Sequence, residues 1–453
     1  MTITRHFVDV GSRRVHYRRS GTGPVLLMVH QSPRSSAEYE PLMRDWSSRF
    51  TCIAPDTPGF GRSDPFDDPE APIETFADSL VAFLDAIGID RVAAYGFHSG
   101  GIILVNALKR HPARFTALAI GGYAIWTESE RRIFSEGYLP PFRPLTYGEH
   151  LTWAWNRILE QTWFFPWFAV EPATRMSVAH ADPARVDSTI RDLLDSGDAY
   201  RTGYGAVLRA ARDIPAPGEP TAPVLISAYA GDPLQDHIDR LGTLPPDWTA
   251  RKVATPAEHQ RESLEHVAHH AVAGPDHLGE AVDEGFVHVA AAGFDGLIHW
   301  KGARGATLTV HGPGRALELV RDAALAIDLP GHGLSDPWPD VPPSEAAPWR
   351  DVIETAARAL DASEIAYEAA PQGDPELLFP ALDPDRFGAY LTRAWSIVRA
   401  GHFFSPWYAA EAGAAVDFDP ADVAPDRLAI EHRALIRSSA AREWLIARRQ
   451  MEE

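Results

Sequence analysis

Val92-Ala93-Ala94-Tyr95-Gly96-Phe97-His98-Ser99-Gly100-Gly101 opens as a strand and closes as a helix. Val92 to Tyr95 is a short apolar run, and from Gly100 to Arg110 the pattern is helical. The same alternation holds upstream, with strands predicted at Val25 to Val29 and at Cys52 to Pro55 and a helix near Ile73 to Ile87. Strands alternating with helices predict an α/β domain, a parallel sheet with helices on both faces. In such sheets ligands bind at the carboxyl ends of the strands, and each glycine-rich segment falls at such an end.

The chain also repeats itself. Asp56-Thr57-Pro58-Gly59-Phe60-Gly61-Arg62-Ser63-Asp64-Pro65-Phe66 returns as Asp328-Leu329-Pro330-Gly331-His332-Gly333-Leu334-Ser335-Asp336-Pro337-Trp338. Upstream, Val25 to Val29 with His30-Gln31-Ser32-Pro33 matches Ala306 to Val310 with His311-Gly312-Pro313-Gly314. Downstream, Gly148 to Trp155 matches Gly388 to Trp395, and Phe164-Phe165-Pro166-Trp167-Phe168 matches Phe403-Phe404-Ser405-Pro406-Trp407-Tyr408. Repeats of this length are duplicated domains, because a solenoid repeats every 20 to 50 residues. The expected division is 1–272 for the first domain and 284–453 for a second, truncated copy.

Composition excludes several classes. With 453 residues, 45% apolar and 23% charged, the chain has the balance of an ordinary globular protein, long enough for at least two cores. A formal charge of -20 repels phosphate backbones and anionic lipid surfaces, so neither nucleic acid nor a membrane is expected as partner. No segment reaches the ~20 apolar residues of a bilayer span, and no apolar leader opens the chain, so the expected location is cytoplasmic. The single Cys52 lies in an apolar strand and reads as a core thiol. His266, His269 and His270 have helical spacing without the acidic residue of a zinc helix; they read as a solvated face, and no metal or cofactor is expected.

Four ordered motifs across roughly residues 24 to 270 resemble the α/β-hydrolase superfamily: His30-Gln31-Ser32-Pro33, Pro58-Gly59-Phe60-Gly61-Arg62-Ser63, Gly96-Phe97-His98-Ser99-Gly100-Gly101, and Gly231-Asp232-Pro233 followed by His259. The resemblance implies an oxyanion turn at Ser32, a nucleophile elbow at residues 96–100, and an acid and base at Asp232 and His259. In Gly-x-Ser-x-Gly the nucleophile is central. Read from Gly96 without a gap, the central residue is His98. Taking Ser99 instead puts Phe97 where a glycine is needed and shortens the helix by one residue. The first register looks like a subset of the superfamily with His-Thr-Gly or a relative at this point, departing from serine esterases. The bland alternatives are a turn aspartate for Asp232 and a helix-capping surface residue for His259.

The oxyanion donors are then the backbone N–H groups of Ser32 and Ser99. The helical segment 127–215, dense in aromatics, stands where the family carries its cap. Substrate contacts are expected from His30, Gln31, His150, Trp153, Trp163 and Phe164, although any one cap ring can equally serve only in packing. In the second copy, Ala366-Tyr367 runs into Glu368-Ala369-Ala370-Pro371 with no elbow, so chemistry is expected in the first copy alone. The expected function is a cofactor-independent hydrolase or lyase acting on a small apolar or aromatic carbonyl compound. The other class is a non-catalytic binding or scaffold protein. A second domain with exposed sheet edges makes homo-oligomerisation through it an expectation too.

Overall fold

The computed structural model describes residues 2–452 apart from 178, 212, 213, 217 and 276, and the side chains of 135 and 136 are likewise left aside. Contacts divide the chain into two compact units. The first is Met1–Phe142 with Arg157–Ala281, and the second is Arg143–Asn156 with Val282–Glu453.

The first unit is built on eight strands: β1 (Ile3–Val10), β2 (Arg13–Ser20), β3 (Val25–Val29), β4 (Thr51–Pro55), β5 (Val92–Phe97), β6 (Phe115–Gly121), β7 (Val224–Tyr229) and β8 (Trp248–Val253). Their order is β1-β2-β4-β3-β5-β6-β7-β8. β2 pairs antiparallel with β1 and β4, and all pairs from β4 to β8 are parallel. Strand β3 shows why the sheet is two-faced. All five of its residues are apolar and buried, and they alternate: Val25, Leu27 and Val29 join one core, Leu26 and Met28 the other. Cys52 and Ala54 of β4 face the second core and Ile53 the first. Burial there pushes the Cys52 thiol up to about 12, which suits a packing role.

The chain leaves β3 for β4 on one side and returns to β5 on the other. That reversal opens a crevice at the carboxyl ends of β3 and β5, where the segments after Val29 and Phe97 meet. Strand β5 runs two residues beyond the predicted Tyr95, because Gly96 and Phe97 pair with Ile120 and Gly121 of β6.

The second unit carries a five-stranded sheet in the order β13-β11-β12-β10-β9, formed by β9 (Glu284–Ala291), β10 (Phe294–Gly302), β11 (Thr307–Val310), β12 (Leu325–Ile327) and β13 (Glu364–Tyr367). Its core packs Trp349 and Trp444 from the helices Ala346–Ala359 and Ala441–Glu452 against this sheet. Several bonds inside the first unit recur inside the second. His16 Nδ1 meets Asp56 at 2.8 Å, and His299 Nδ1 meets Asp328 at 2.8 Å. Thr57 N donates to His30 Nε2 at 2.9 Å, and Leu329 N to His311 Nε2 at 3.1 Å. Phe165 N donates to Thr174 O, and Ser405 N to Ala414 O, both at 2.9 Å.

The segment expected to form one cap, 127–215, is split between the units. Its residues Arg143–Asn156 belong to the second, where they meet the matching stretch of that unit reciprocally. Trp155 Nε1 donates to Arg386 O and Trp395 Nε1 to Thr146 O, each at 3.2 Å. A Cβ on Gly148 would lie 2.9 Å from Trp395 Cγ, and one on Gly388 would overlap the Trp155 ring. Both glycines also have positive φ, so each is required by conformation and by closeness.

Candidate active site

His98 follows β5 directly, with φ +47° and ψ -112°. This region disfavours a residue with a Cβ, and neighbouring glycines make room for it. A Cβ on Gly96 would come within 2.8 Å of the Gly100 carbonyl carbon, and one on Gly100 would strike Val29 O. The helix Ser99–Arg110 begins at once. At the end of β6, Gly122 (φ +59°) leaves space for the imidazole, because a Cβ there would be 2.6 Å from His98 Cδ2.

The His98 ring reaches over Gly122 to Asp232, with Nε2 3.1 Å from Oδ1 and 3.2 Å from Oδ2. Asp232 lies just beyond β7, is 5% exposed, and accepts Leu234 N at 2.8 Å. Burial pushes its carboxyl up, but the His98 ring and the Leu234 N–H outweigh that and hold it below the usual carboxylate range. With Nε2 turned to the carboxylate, Nδ1 of His98 has no bonding partner among the described residues. The Phe97 ring stacks on the imidazole at 4.2 Å between centroids and 19° between planes.

The expected pairing of Asp232 with His259 is not what the structure holds. His259 is 2% exposed, and both nitrogens are engaged: Nδ1 with Ser227 Oγ at 2.7 Å and Nε2 with Tyr95 OH at 2.9 Å. The Phe97 ring stands edge-on to His259 at 5.9 Å, and it also stacks on the His98 and Tyr229 rings. Burial lowers the His259 imidazole to about 4, so it is a neutral ring at pH 7. Neither hydroxyl partner was read from sequence as part of the site, yet Tyr95 and Ser227 sit on the two strands whose ends carry His98 and Asp232.

Ser99 and Ser32 face each other. Ser32 N donates to Ser99 Oγ at 2.6 Å, and Ser99 Oγ donates to Ser32 Oγ at 3.2 Å. The Ser32 N–H assigned to an oxyanion is thus held by the Ser99 hydroxyl. Gln31 is fixed by Glu38, which accepts its backbone N–H at 2.8 Å and its side-chain amide at 3.1 Å. Burial pushes the Glu38 carboxyl up against the pull of Arg34, His30 and the Gln31 bonds.

His30 serves a different purpose from the predicted substrate contact. Its Nε2 accepts Thr57 N at 2.9 Å, so Nδ1 carries the proton and donates to Gln31 O at 2.9 Å. The ring therefore ties the turn after β3 to the turn after β4, and it is 1% exposed.

Over this floor lies a cavity of about 40 Å³, bounded below by Gln31, Ser32, His98, Ser99 and Ile102 and above by Trp126, Phe165, Tyr204, Val207 and Leu208. Ile102, Ala124, Phe165, Val207, Leu208 and Leu234 give it an apolar side, Tyr204 turns its hydroxyl to Tyr138 at 2.9 Å, and the buried Nε1 of Trp126 has no acceptor among the described residues. Of the four cap residues predicted to touch substrate, none lines it. His150 packs in the second unit, its ring 4.9 Å from Trp395 and its Nδ1 accepting Leu145 N at 3.1 Å. Trp153 belongs to that unit also. Trp163 donates to His180 O at 2.7 Å, and Phe164 bridges to Arg175, which turns the next residue, Phe165, to the cavity. The helix Pro183–Ser196 is tied to the segment after β3 by Asp192, which meets Arg34 Nε and Ser35 Oγ at 2.7 Å each.

Haloalkane dehalogenase 2 of Mycobacterium tuberculosis is 31% identical over 118 residues, 26% of this chain and 41% of the relative. Cis-3-alkyl-4-alkyloxetan-2-one decarboxylase of Shewanella oneidensis is 32% identical over 123 residues, 26% of this chain and 39% of the relative. For 2-(acetamidomethylene)succinate hydrolase of Mesorhizobium japonicum the identity is 30% over 125 residues, 27% of this chain and 44% of the relative. The chain thus spans about two fifths of the length of the curated relatives it matches. The profile of the alpha/beta hydrolase fold matches residues 24–272, more than half of the 453 residues. With that match added to the sheet order and the turn at His98, the chain belongs to the alpha/beta hydrolase fold family.

Proposed function

We propose that the first unit is a cofactor-independent hydrolase in which His98, oriented by Asp232, is the general base. The family and its hydrolase relatives support an enzyme of hydrolase type. The reading rests on one observation: an imidazole at the tip after β5 that lines a cavity and is bonded to a buried carboxylate through Nε2, leaving Nδ1 without a partner among the described residues.

The substrate class is a small, apolar or aromatic carbonyl compound, an ester or a compound cleaved at a C–C bond next to the carbonyl. Nδ1 takes a proton from water as its oxygen attacks the carbonyl carbon. Asp232 remains ionised and stabilises the imidazolium. The new oxyanion is met by the Ser99 N–H and, once the Ser99 hydroxyl rotates aside, by the Ser32 N–H. Collapse breaks the bond to the leaving group, which recovers the proton from His98. His259 does not touch the reacting atoms; with Tyr95 it supports Phe97, which backs His98.

The occupied Ser32 N–H favours a second reading, a binding protein on an enzyme scaffold. Assay of the intact chain against a panel of activated aryl and alkyl esters separates the two. Turnover that disappears in Asp232→Asn supports the enzyme; absence of turnover with retained binding supports the other.

The bond of His16 to Asp56, repeated as His299 to Asp328, and that of Thr57 N to His30, repeated as Leu329 N to His311, support the second unit as a truncated copy without an elbow. Chemistry then belongs to the first unit, a small molecule is its partner, and nucleic acid is not. No described helix is long and apolar enough to cross a membrane; a cytoplasmic location and self-association through the second unit stay part of the proposal.

A further inference from the structure

The second unit contains a cavity of about 310 Å³, against about 40 Å³ for the cavity beside His98 in the first. It opens beside Pro313, Gly314 and Arg315, which follow β11 as Ser32, Pro33 and Arg34 follow β3. On the far side stand the helix Ala389–Gly401 and the aromatic run after it.

Two differences account for the space. Strand β13 is followed by an irregular segment and the short helix Pro375–Leu378 rather than by a tip residue and a long helix, and Pro371, Gln372 and Leu378 line the cavity where His98 and Ile102 line the smaller one. At the matching backbone bond, Ser405 stands where Phe165 closes the smaller cavity.

The lining defines what fits. Leu319, Leu378, Phe379, Ile397, Phe404 and Trp407 give an apolar, partly aromatic wall. The ionic groups at its edge are already matched: Arg315 Nε to Glu368 at 2.9 Å and His402 Nε2 to Glu431 at 2.8 Å. A charged guest would have to break one of these pairs or remain unpaired in an apolar space, which is costly. Ser405 and Gln372 stand among the lining residues at the exposed mouth of the cavity, and neither side chain bonds to any described residue. They can donate to and accept from one neutral polar group. An engineered apolar cavity of about 150 Å³ is enough to hold benzene, so a ring with a short substituent fits here.

We infer that the second unit is a non-catalytic binding site for an uncharged, single-ring compound carrying one carbonyl or hydroxyl group. This does not depend on any chemistry at His98.

The test is calorimetric titration of the full-length protein with benzamide, benzoate and benzylamine. These share a ring and differ in charge. Benzamide is expected to bind, with the two ions at least tenfold weaker. Two variants localise it. Ser405→Phe narrows the cavity as Phe165 narrows the other, and Gly401→Leu projects into space where a Cβ meets nothing within 4 Å. Each should weaken benzamide at least tenfold while the thermal unfolding midpoint stays within a few degrees. Absence of benzamide binding to the unaltered protein, equal or tighter binding of either ion, or full retention of benzamide affinity in both variants would overturn the inference.

Discussion

A histidine at the tip of a strand-to-helix turn needs something to fix its ring, because an imidazole can serve as acid, base or ligand according to which nitrogen is free. Asp232 supplies that orientation. Asp232→Asn keeps the shape but allows the amide to present N–H to Nε2, which favours the wrong tautomer; turnover of an activated ester should fall by about 10² to 10⁴, with KM changed far less. Ser99→Ala should act in the opposite sense. It releases the Ser32 N–H from its 2.6 Å bond, so kcat is expected to hold or rise; a loss as large as that of Asp232→Asn would identify Ser99 as the attacking group. The gap-free register made His98 readable from sequence, since only a glycine at position 96 fits so close to Gly100. The partner of Asp232 was not readable. Spacing places Asp232 and His259 at neighbouring strand ends, but whether His259 faces the pocket depends on Ser227 and Tyr95, whose hydroxyls look from sequence like ordinary strand residues. His259 also makes a stability prediction. Its imidazole has an ordinary value of 6.5 and is lowered by burial to about 4, so the unfolded chain binds more protons in that interval. The contribution of this group is therefore complete above about pH 6.5 and is lost as pH falls toward 4, a change of up to about 3 kcal/mol. Denaturant unfolding of the protein and of His259→Phe at pH 7 and pH 5 checks it: the slope with pH should be shallower in the variant.

Among the elements, the turn after β5 and the end of β6 act together. Gly122→Ala would set a Cβ against His98 Cδ2 at a residue with φ +59°. The strain is roughly 1–2 kcal/mol, and the ring must leave Asp232, so both the unfolding midpoint and kcat should fall. A variant that loses stability but keeps kcat would show that the His98–Asp232 contact is dispensable. Gly121-Gly122 was passed over in the sequence because it follows a strand in the manner of any turn; its purpose appears only when β6 is seen beside β5. The cap is a similar case. An aromatic-rich helical segment is visible in residues 127–215, but its individual facing is not. The bridge of Phe164 to Arg175 fixes that Phe165 lines the cavity, and nothing in the spacing of the rings of Phe164, Phe165, Trp167 and Phe168 distinguishes one from the next.

For the whole chain, the internal repeat was plain in the sequence because turn residues such as Gly59, Gly61, Gly331 and Gly333 answer to backbone conformation and resist drift. The allotment of Arg143–Asn156 to the second unit was hidden, since its signal is reciprocal: Gly148 has meaning only beside Trp395, and Gly388 only beside Trp155. A chain ending at Ala281 would lose the partners of Leu151 and Trp155, which are 0% and 1% exposed. Such a fragment should self-associate by light scattering, whereas Trp155→Ser introduced into it should reduce that association; a monodisperse fragment with Trp155 intact would contradict the allotment. The central claim remains that the intact protein carries its chemistry on His98. It is tested most directly by kcat/KM of full-length His98→Ala on the best ester of the panel, with folding verified by circular dichroism. The expected result is a loss of about 10² to 10⁴, partly restored by added imidazole. An unchanged kcat/KM in a folded His98→Ala protein would contradict it.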